Sequence, residues 1–218
     1  METQKSEAFR FLPKAWIHRG SDIAERISLL LVRMGLRPNT ITVLALLAGI
    51  AAGLFFFLER PFWAWLALFA CGLLDMLDGK VAVLTKAKSA FGAILDSTLD
   101  RYSEFFIYLG LALHFRRQWA LWLSFLAFLG STMVSYTKAR SEGLGFSCPI
   151  GIMQRAERLF CLGSGALLSS IFRIYDPAMI TALTLIALFS NITAIQRTLF
   201  VKHAEQQRLS KQGENSHG

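Results

Sequence analysis

The chain has 218 residues, of which 54% are hydrophobic and only 17% are charged. Soluble domains carry about 25% charged residues, so this composition excludes an ordinary soluble enzyme and favours a membrane domain. The net charge is +8, but the basic residues form no stripe apart from the ends of the apolar runs. Nucleic acid is therefore not an expected partner.

The first predicted element is an amphipathic helix within a juxtamembrane segment, residues 1–38. Over residues 8–35, apolar and aromatic side chains are interleaved with basic ones: Phe9, Phe11, Leu12, Trp16 and Ile17 with Arg10, Lys14, His18 and Arg19. This mixture in front of a first membrane span is typical of a helix that lies in the membrane interface. Pro38 and Asn39 end the pattern.

Six apolar runs follow, each close to the roughly 20 residues that a helix needs to cross a bilayer. They cover approximately residues 40–58, 62–79, 93–113, 119–138, 157–174 and 178–199. Long continuous runs favour helices over a barrel, in which apolar and polar residues would alternate. We therefore predict an all-α integral membrane protein with six transmembrane helices and an N-terminal amphipathic interfacial helix. The six-helix domain covers residues 39–202, and residues 203–218 form a polar tail that is expected to be disordered.

Two small residues stand out in the first span. Gly49 and Gly53 lie four residues apart, and this spacing suits close packing of two helices. The contact could lie within the chain or form the seam of a homodimer.

The distribution of Lys and Arg predicts the orientation. Eighteen of the 23 basic residues fall in segments that six spans place on the side of both termini, and four fall on the other side: Arg60, Arg116, Arg117 and Arg173. By the positive-inside rule both termini face the cytoplasm, and we expect a multi-pass protein of the cell's inner (cytoplasmic) membrane.

Four carboxylates interrupt the apolar pattern. Asp75 and Asp78 are three residues apart at the end of the second run, and Asp96 and Asp100 are four apart in the third, so each pair shares one helix face. Four like charges in a poorly solvated site repel unless cations neutralise them. Carboxylates combined with a substrate phosphate suit Mg²⁺, and two such ions about 4 Å apart could clamp a phosphoryl displacement. The bland alternative is that each aspartate is a helix-end residue reaching towards water.

The spacing of these residues resembles a family signature. Asp75-x2-Asp78-Gly79-x2-Ala82, followed by Gly92-x3-Asp96-x3-Asp100, is similar to the CDP-alcohol phosphatidyltransferase pattern D-x2-D-G-x2-A-R-x8-G-x3-D-x3-D. Seven of its eight fixed residues are present at the right intervals. The resemblance extends to the six spans, the amphipathic N-terminal helix and the segment PNTIT at 38–42.

The resemblance implies that a phosphatidyl group passes from CDP-diacylglycerol to an alcohol with release of CMP. Asp75, Asp78 and Asp96 would bind Mg²⁺ or Mn²⁺, two ions in all, which hold the diphosphate. Asp100 would also face the metal site and act as general base on the attacking hydroxyl. The remaining motif residues would contact the donor: Asn39, Thr42, Gly79, Ala82, Val83, Ser89 and Gly92. Asn39 could equally serve as a helix N-cap.

Val83 is the one departure from the signature, because the family has Arg at that position. That Arg is expected to contact the nucleotide part of the donor. Lys80, Lys86 or Lys88 could supply the missing charge, although each could equally be an ordinary lysine of a cytoplasmic loop.

A second basic cluster points to the acceptor. Lys138 and Arg140 end the fourth span, while Arg155 and Arg158 open the fifth, all on the side of the aspartates. Such cations suit an acceptor that carries its own phosphate. The segments SYTKARSEGLG and QRAERL resemble the branch that uses inositol 1-phosphate, although glycerol 3-phosphate is equally anionic.

Two other classes remain as alternatives. A cation transporter could hold an ion in transit with the same four aspartates. A non-catalytic lipid-binding membrane protein is the second, because Val83 departs from the signature. Metal-dependent release of CMP from CDP-diacylglycerol separates the enzyme from both.

Overall fold

The structure is a computed structural model that describes the backbone of residues 14–215 and the side chains of residues 24–210. Within these limits it contains seven α-helices and no strand. They are α1 (Lys14–Arg33), α2 (Pro38–Phe57), α3 (Pro61–Leu84), α4 (Ala90–His114), α5 (Ala120–Gly143), α6 (Arg155–Phe172) and α7 (Tyr175–Asn215). The predicted all-α class is confirmed.

The helix boundaries follow from local chemistry. Pro38 and Pro61 occupy the first turns of α2 and α3, where the missing N–H costs nothing. Ser89 caps α4 by accepting a hydrogen bond from the Gly92 N–H at 3.0 Å. Lys86, just after α3, adopts a left-handed backbone with φ of 54°, which reverses the chain towards α4.

Helices α2 to α7 coincide with the six apolar runs. Three of them are long and apolar enough to cross a membrane by length and composition: Pro38–Phe57, Ala120–Gly143 and Tyr175–Ser210. The other three, α3, α4 and α6, carry the charged residues of the candidate site at one end. The chain is therefore a helical membrane protein.

The six helices pack as a closed ring in the order α2, α3, α6, α7, α5 and α4. Each helix contributes apolar side chains to one central core: Phe56, Leu68, Leu111, Ala127, Leu162 and Leu183. Helix α1 lies outside the ring against α3, where Ala24 packs with Leu77 and Val81. Phe9, Phe11 and Leu12 of the predicted amphipathic helix lie outside the described residues, as do the side chains of Trp16 and Ile17.

Small residues bring α2 and α4 into backbone contact. A Cβ atom at Gly53 would lie 2.1 Å from the Phe106 carbonyl oxygen, and one at Gly110 would lie 1.9 Å from the Gly53 oxygen. A Cβ atom at Gly49 would meet the Ser103 hydroxyl at 1.9 Å. Gly49 and Gly53 therefore serve helix packing within the chain.

The C-terminal tail differs from its prediction. Helix α7 continues without a break to Asn215. The prediction of disorder is therefore wrong for residues 203–215. The segment is polar, but Ala, Glu, Gln, Arg and Lys are good helix formers. A helix already nucleated by packing extends through such residues at little cost.

Candidate active site

The carboxylates predicted from the sequence meet at one end of the ring. Carboxylate oxygens of Asp75, Asp96 and Asp100 all lie within 4.8 Å of one another. Asp78 is only 6% exposed and accepts a hydrogen bond from the Thr42 hydroxyl at 2.8 Å. The helical spacings and the short turn between α3 and α4 therefore bring the two pairs together, with α2 holding the fourth aspartate.

This arrangement fits a divalent cation. Three carboxylates converge from two helices, and the Asp96 Oδ1 atom is buried without a hydrogen-bond partner. A buried carboxylate oxygen without a partner is costly unless a cation satisfies it. All the converging atoms are hard oxygens, the ligands that Mg²⁺ and Mn²⁺ prefer.

Arg155, the first residue of α6, reaches into the carboxylate cluster. Its Nη1 atom forms ion pairs with Asp75 at 2.5 Å and with Asp100. Of the four predicted acceptor cations, Arg155 is the one that touches the aspartates.

Arg158 is placed differently. Its side chain is 2% exposed, is paired with Glu104 and donates a hydrogen bond to the Met153 carbonyl oxygen at 3.3 Å. A guanidinium that is fully enclosed offers no surface to a phosphate, which speaks against the direct acceptor contact expected from the sequence. Its position suits an indirect role, in which Arg158 holds Glu104 in place and does not contact the acceptor.

Two residues of the site were missed in the sequence. Glu104 pairs with Arg158, and Arg101 lies 3.5 Å from Asp100 and 3.7 Å from Glu104. Glu104 comes four residues after Asp100 and so shares its helix face, a signal that was available. Its partner could not be read from spacing, because Arg158 is 54 residues further along the chain.

Lys138 and Arg140 lie exposed at the C-terminal end of α5. In the part of the chain that the structure describes, neither forms an ion pair with the aspartates. They lie at the same end of the ring as the carboxylates, because α5 ends at the end of the ring where α6 begins with Arg155.

A cavity of about 440 Å³ adjoins the carboxylates. Asp78 and Asp96 form one wall, and six of the seven predicted donor residues line it: Asn39, Thr42, Gly79, Ala82, Ser89 and Gly92. A Cβ atom at Gly79 would meet nothing within 4 Å, so this part of α3 presents bare backbone to open space.

Val83 is the predicted donor residue that does not line this cavity, and its side chain is 54% exposed. Among the three lysines that could replace the missing arginine, Lys88 is the one that lines the cavity. The cavity wall therefore carries a positive charge, as the family signature requires. The charge comes from Lys88 in the turn before α4, whereas the arginine of the signature would lie on α3.

Comparison with known proteins gives a consistent result. The model of the CDP-alcohol phosphatidyltransferase family matches residues 36–192. The chain is 36% identical over 179 residues to the archaetidylinositol phosphate synthase of Pyrococcus horikoshii, covering 82% of this chain and 90% of that protein. It is 34% identical over 173 residues to the phosphatidylinositol phosphate synthase of Mycobacterium tuberculosis H37Rv, covering 77% and 80%.

Solved structures of the Mycobacterium tuberculosis phosphatidylinositol phosphate synthase have the same fold. The crystal structure with CDP-DAG bound superposes with a TM-score of 0.75 at 33% identity, covering 83% of this chain and 94% of that one. The complex with manganese and citrate gives a TM-score of 0.74 at 32% identity, covering 82% and 88%.

Proposed function

Since the chain belongs to the CDP-alcohol phosphatidyltransferase family, we propose that it transfers a phosphatidyl group from CDP-diacylglycerol to myo-inositol 1-phosphate and releases CMP. The observation that carries this proposal is the convergence of Asp75, Asp96 and Asp100 beside a cavity lined by the other motif residues. The relatives named above are inositol phosphate lipid synthases, one of them with CDP-DAG bound.

The donor's nucleotide would occupy the cavity beside Asp78. Thr42 and Ser89 offer hydroxyls there, Gly79 and Ala82 leave room, and Lys88 supplies the positive charge that Val83 lacks. A divalent ion, Mg²⁺ or Mn²⁺, held by Asp75, Asp78, Asp96 and Asp100 would neutralise the donor diphosphate, and we propose two such ions.

Asp100 would act as the general base. It accepts the proton of the attacking hydroxyl while the new oxygen–phosphorus bond forms and the phosphorus–oxygen bond to CMP breaks. The Asp100 carboxylate is paired with the Arg155 guanidinium, which holds it in the cluster.

Arg155, Lys138 and Arg140 are the candidate contacts for the phosphate of the acceptor. Arg155 is the best placed, because its guanidinium already lies between two carboxylates of the reaction site. Arg158 would act as a positioning residue through Glu104 rather than as a direct contact.

In the membrane, we propose that α2 to α7 form six spans and that α1 lies at the interface as an amphipathic helix. The juxtamembrane segment 1–38, the domain 39–202 and the tail 203–218 would then be the units of the chain. The excess of basic residues at the end of the ring that holds the aspartates supports an inner membrane location, with both termini and the active site facing the cytoplasm. A homodimer remains part of the proposal, although Gly49 and Gly53 are used within the chain.

The experiment that tests the proposal measures CMP released from CDP-diacylglycerol and Mg²⁺ by the purified protein. Inositol 1-phosphate, glycerol 3-phosphate, inositol and serine are supplied separately. We expect release with inositol 1-phosphate and a loss of about 10²–10⁴-fold in Asp100→Asn. Asp176→Asn, an aspartate at the other end of the ring, is the matched control and should keep the activity.

The other outcomes are equally decisive. Release that depends on glycerol 3-phosphate would keep the transferase and replace the acceptor, because the two acceptors carry the same charged group. No CMP with any acceptor, from protein shown to be folded, would reject the proposed reaction.

A further inference from the structure

A second polar cavity lies at the end of the ring opposite the aspartates. It has a volume of about 410 Å³ and is lined by Glu59, Arg60, Trp63, Ser169, Arg173 and Tyr175, among others. Arg60 directly precedes α3, whereas Asp75 lies fourteen residues after the first residue of that helix, about 21 Å further along it. The cavity is therefore separate from the candidate active site.

The two arginines of this cavity, Arg60 and Arg173, are not paired with neighbouring acids. Neither Arg60 nor Arg173 forms an ion pair with any residue that the structure describes. Of the acids nearby, Asp176 lies 2.8 Å from His114 Nε2, whereas Glu59 lines the cavity with a 63% exposed side chain, so the lining carries two arginines and one glutamate. Two guanidinium groups thus remain available to an anion.

The Asp176 carboxyl is held in place by more than one donor. Gln118 also donates a hydrogen bond to it, at 3.1 Å. This acid is thus committed to α4 and the turn after it, and not to the arginines.

The backbone adds to the attraction for anions. Helix α3 begins at Pro61 and α7 begins at Tyr175, so the first turns of two helices line the cavity. Arg60, the N-cap residue of α3, makes no side-chain cap hydrogen bond. Uncapped N–H groups and the helix dipole both favour negative charge at such a position.

The lining residues indicate what kind of anion fits. Arg60 and Arg173 supply two guanidinium groups, whose planar sets of donors match phosphate oxygens. Trp63 is 52% exposed beside the arginines, as an aromatic side chain at the boundary between hydrocarbon and head groups would be. A ligand with a phosphate at one end and an apolar body at the other matches both features.

We propose that this cavity binds the phosphate of an anionic phospholipid from the leaflet opposite the active site. Arg60 and Arg173 would hold the phosphate oxygens by charge-assisted hydrogen bonds, and Trp63 would contact the glycerol and the first methylenes. The site is a lipid-binding site that involves no chemistry, and it is independent of the proposed transferase reaction.

The test measures binding of dioctanoyl phosphatidylglycerol to the detergent-solubilised protein in the absence of CDP-diacylglycerol. Native mass spectrometry gives the number of bound lipids, and the unfolding midpoint gives the stabilisation. The variant is Arg60→Gln with Arg173→Gln. The matched control is Arg116→Gln with Arg117→Gln, which removes the same charge at the same end of the ring but outside the cavity.

We expect the cavity variant to bind one of the lipids about tenfold more weakly than the wild type does, while the control behaves as the wild type. Dioctanoyl phosphatidylcholine, which has no net charge, should bind more weakly than phosphatidylglycerol to the wild type. If the double variant does not fold, Arg60→Gln and Arg173→Gln singly should each show about a threefold loss.

Three outcomes would overturn the proposal. Equal lipid binding by the cavity variant and the wild type would remove the arginines from the site. An equal loss in the control would reduce the effect to net charge. Stabilisation by inorganic phosphate alone, to the same extent as by the lipid, would make this a site for free anions. Because CMP release is not measured, failure of the proposed reaction would leave this result interpretable.

Discussion

At the scale of single residues, Arg155 connects the converging carboxylates with the proposed acceptor site. Its guanidinium contacts Asp75 and Asp100 at once, and a planar group with two donor edges can hold one carboxylate while the other edge faces a phosphate. A lysine has one charged point on a flexible stem and cannot serve both partners with the same geometry.

Arg155→Lys is therefore expected to lower CMP release about tenfold or more, with the larger part of the change in the KM for the acceptor. Steady-state kinetics with each substrate varied in turn would measure it. Arg117→Lys, the same substitution at the opposite end of the ring, is the matched control and should leave the KM for the acceptor unchanged. A KM for the acceptor that stays at the wild-type value in Arg155→Lys would contradict the assignment.

The proposed donor site allows a rescue experiment. Lys88→Gln removes the cation from the cavity wall and should raise the KM for CDP-diacylglycerol about tenfold. Adding Val83→Arg to that variant restores the arginine of the family signature and should recover most of the loss. Lys86→Gln is the matched control, since Lys86 does not line the cavity. An unchanged KM in Lys88→Gln would remove this lysine from the donor site.

Metal dependence gives a readout that does not rely on turnover. The three converging carboxylates should bind Mn²⁺ in the protein without substrate, and Asp96→Asn should weaken that binding about tenfold or more. Electron paramagnetic resonance of free Mn²⁺ would measure the affinity, with Asp176→Asn as control. Chelation by EDTA should abolish CMP release, and activity that survives it would exclude the ion from the reaction.

At the scale of elements, the contact between α2 and α4 determines the shape of the site. The glycines of this contact set α4, which carries Asp96 and Asp100, directly against α2, whose Thr42 binds Asp78 of α3. Separating the two backbones would therefore change both the packing of the ring and the wall of the donor cavity.

Gly53→Ala is expected to destabilise the protein by about 1–3 kcal/mol, because the new methyl group would meet backbone atoms that cannot move independently. The unfolding midpoint in detergent would show it, together with a loss of CMP release. Gly143→Ala is the matched control, because a Cβ atom there meets nothing within 4 Å and alanine is a better helix former. Equal midpoints for the two variants would show that α2 and α4 separate easily.

At the scale of the whole molecule, the two ends of the ring have different chemistry. One end gathers the aspartates and most of the basic residues, and the other holds Arg60 and Arg173 around a smaller polar cavity. This asymmetry is what the proposed orientation in the membrane depends on.

Cysteine labelling would test that orientation in intact cells. In a variant without Cys71, Cys148 and Cys161, a membrane-impermeant maleimide should modify Arg117→Cys from outside. It should modify Lys86→Cys only after the membrane is permeabilised. The reverse pattern would invert the topology and would place the active site outside the cytoplasm.

Local periodicity explains how much of this arrangement could be predicted from sequence. The apolar runs and the paired aspartates recur at helical spacing, so the helices and the carboxylate cluster were foreseeable. The Arg158–Glu104 pair was not, because it depends on how α6 sits inside the ring relative to α4. The continuation of α7 was also missed, because polarity was taken as a sign of disorder although the residues are good helix formers.

The length of α7 has a further consequence for the region around the site. Its 41 residues rise about 62 Å, roughly twice the 30 Å hydrocarbon thickness of a bilayer. Its last turns must stand in water on the side of the aspartates, and there the Arg208 guanidinium lies 5.9 Å from the centre of the Phe146 ring. Phe146 belongs to the connection between α5 and α6, which leads to Arg155. The C-terminal turns of α7 therefore contact and support that connection. A protease that cut α7 before residue 208 would remove the contact with Phe146. The connection that leads to Arg155 would then become more mobile, although no residue of the carboxylate cluster had been cut.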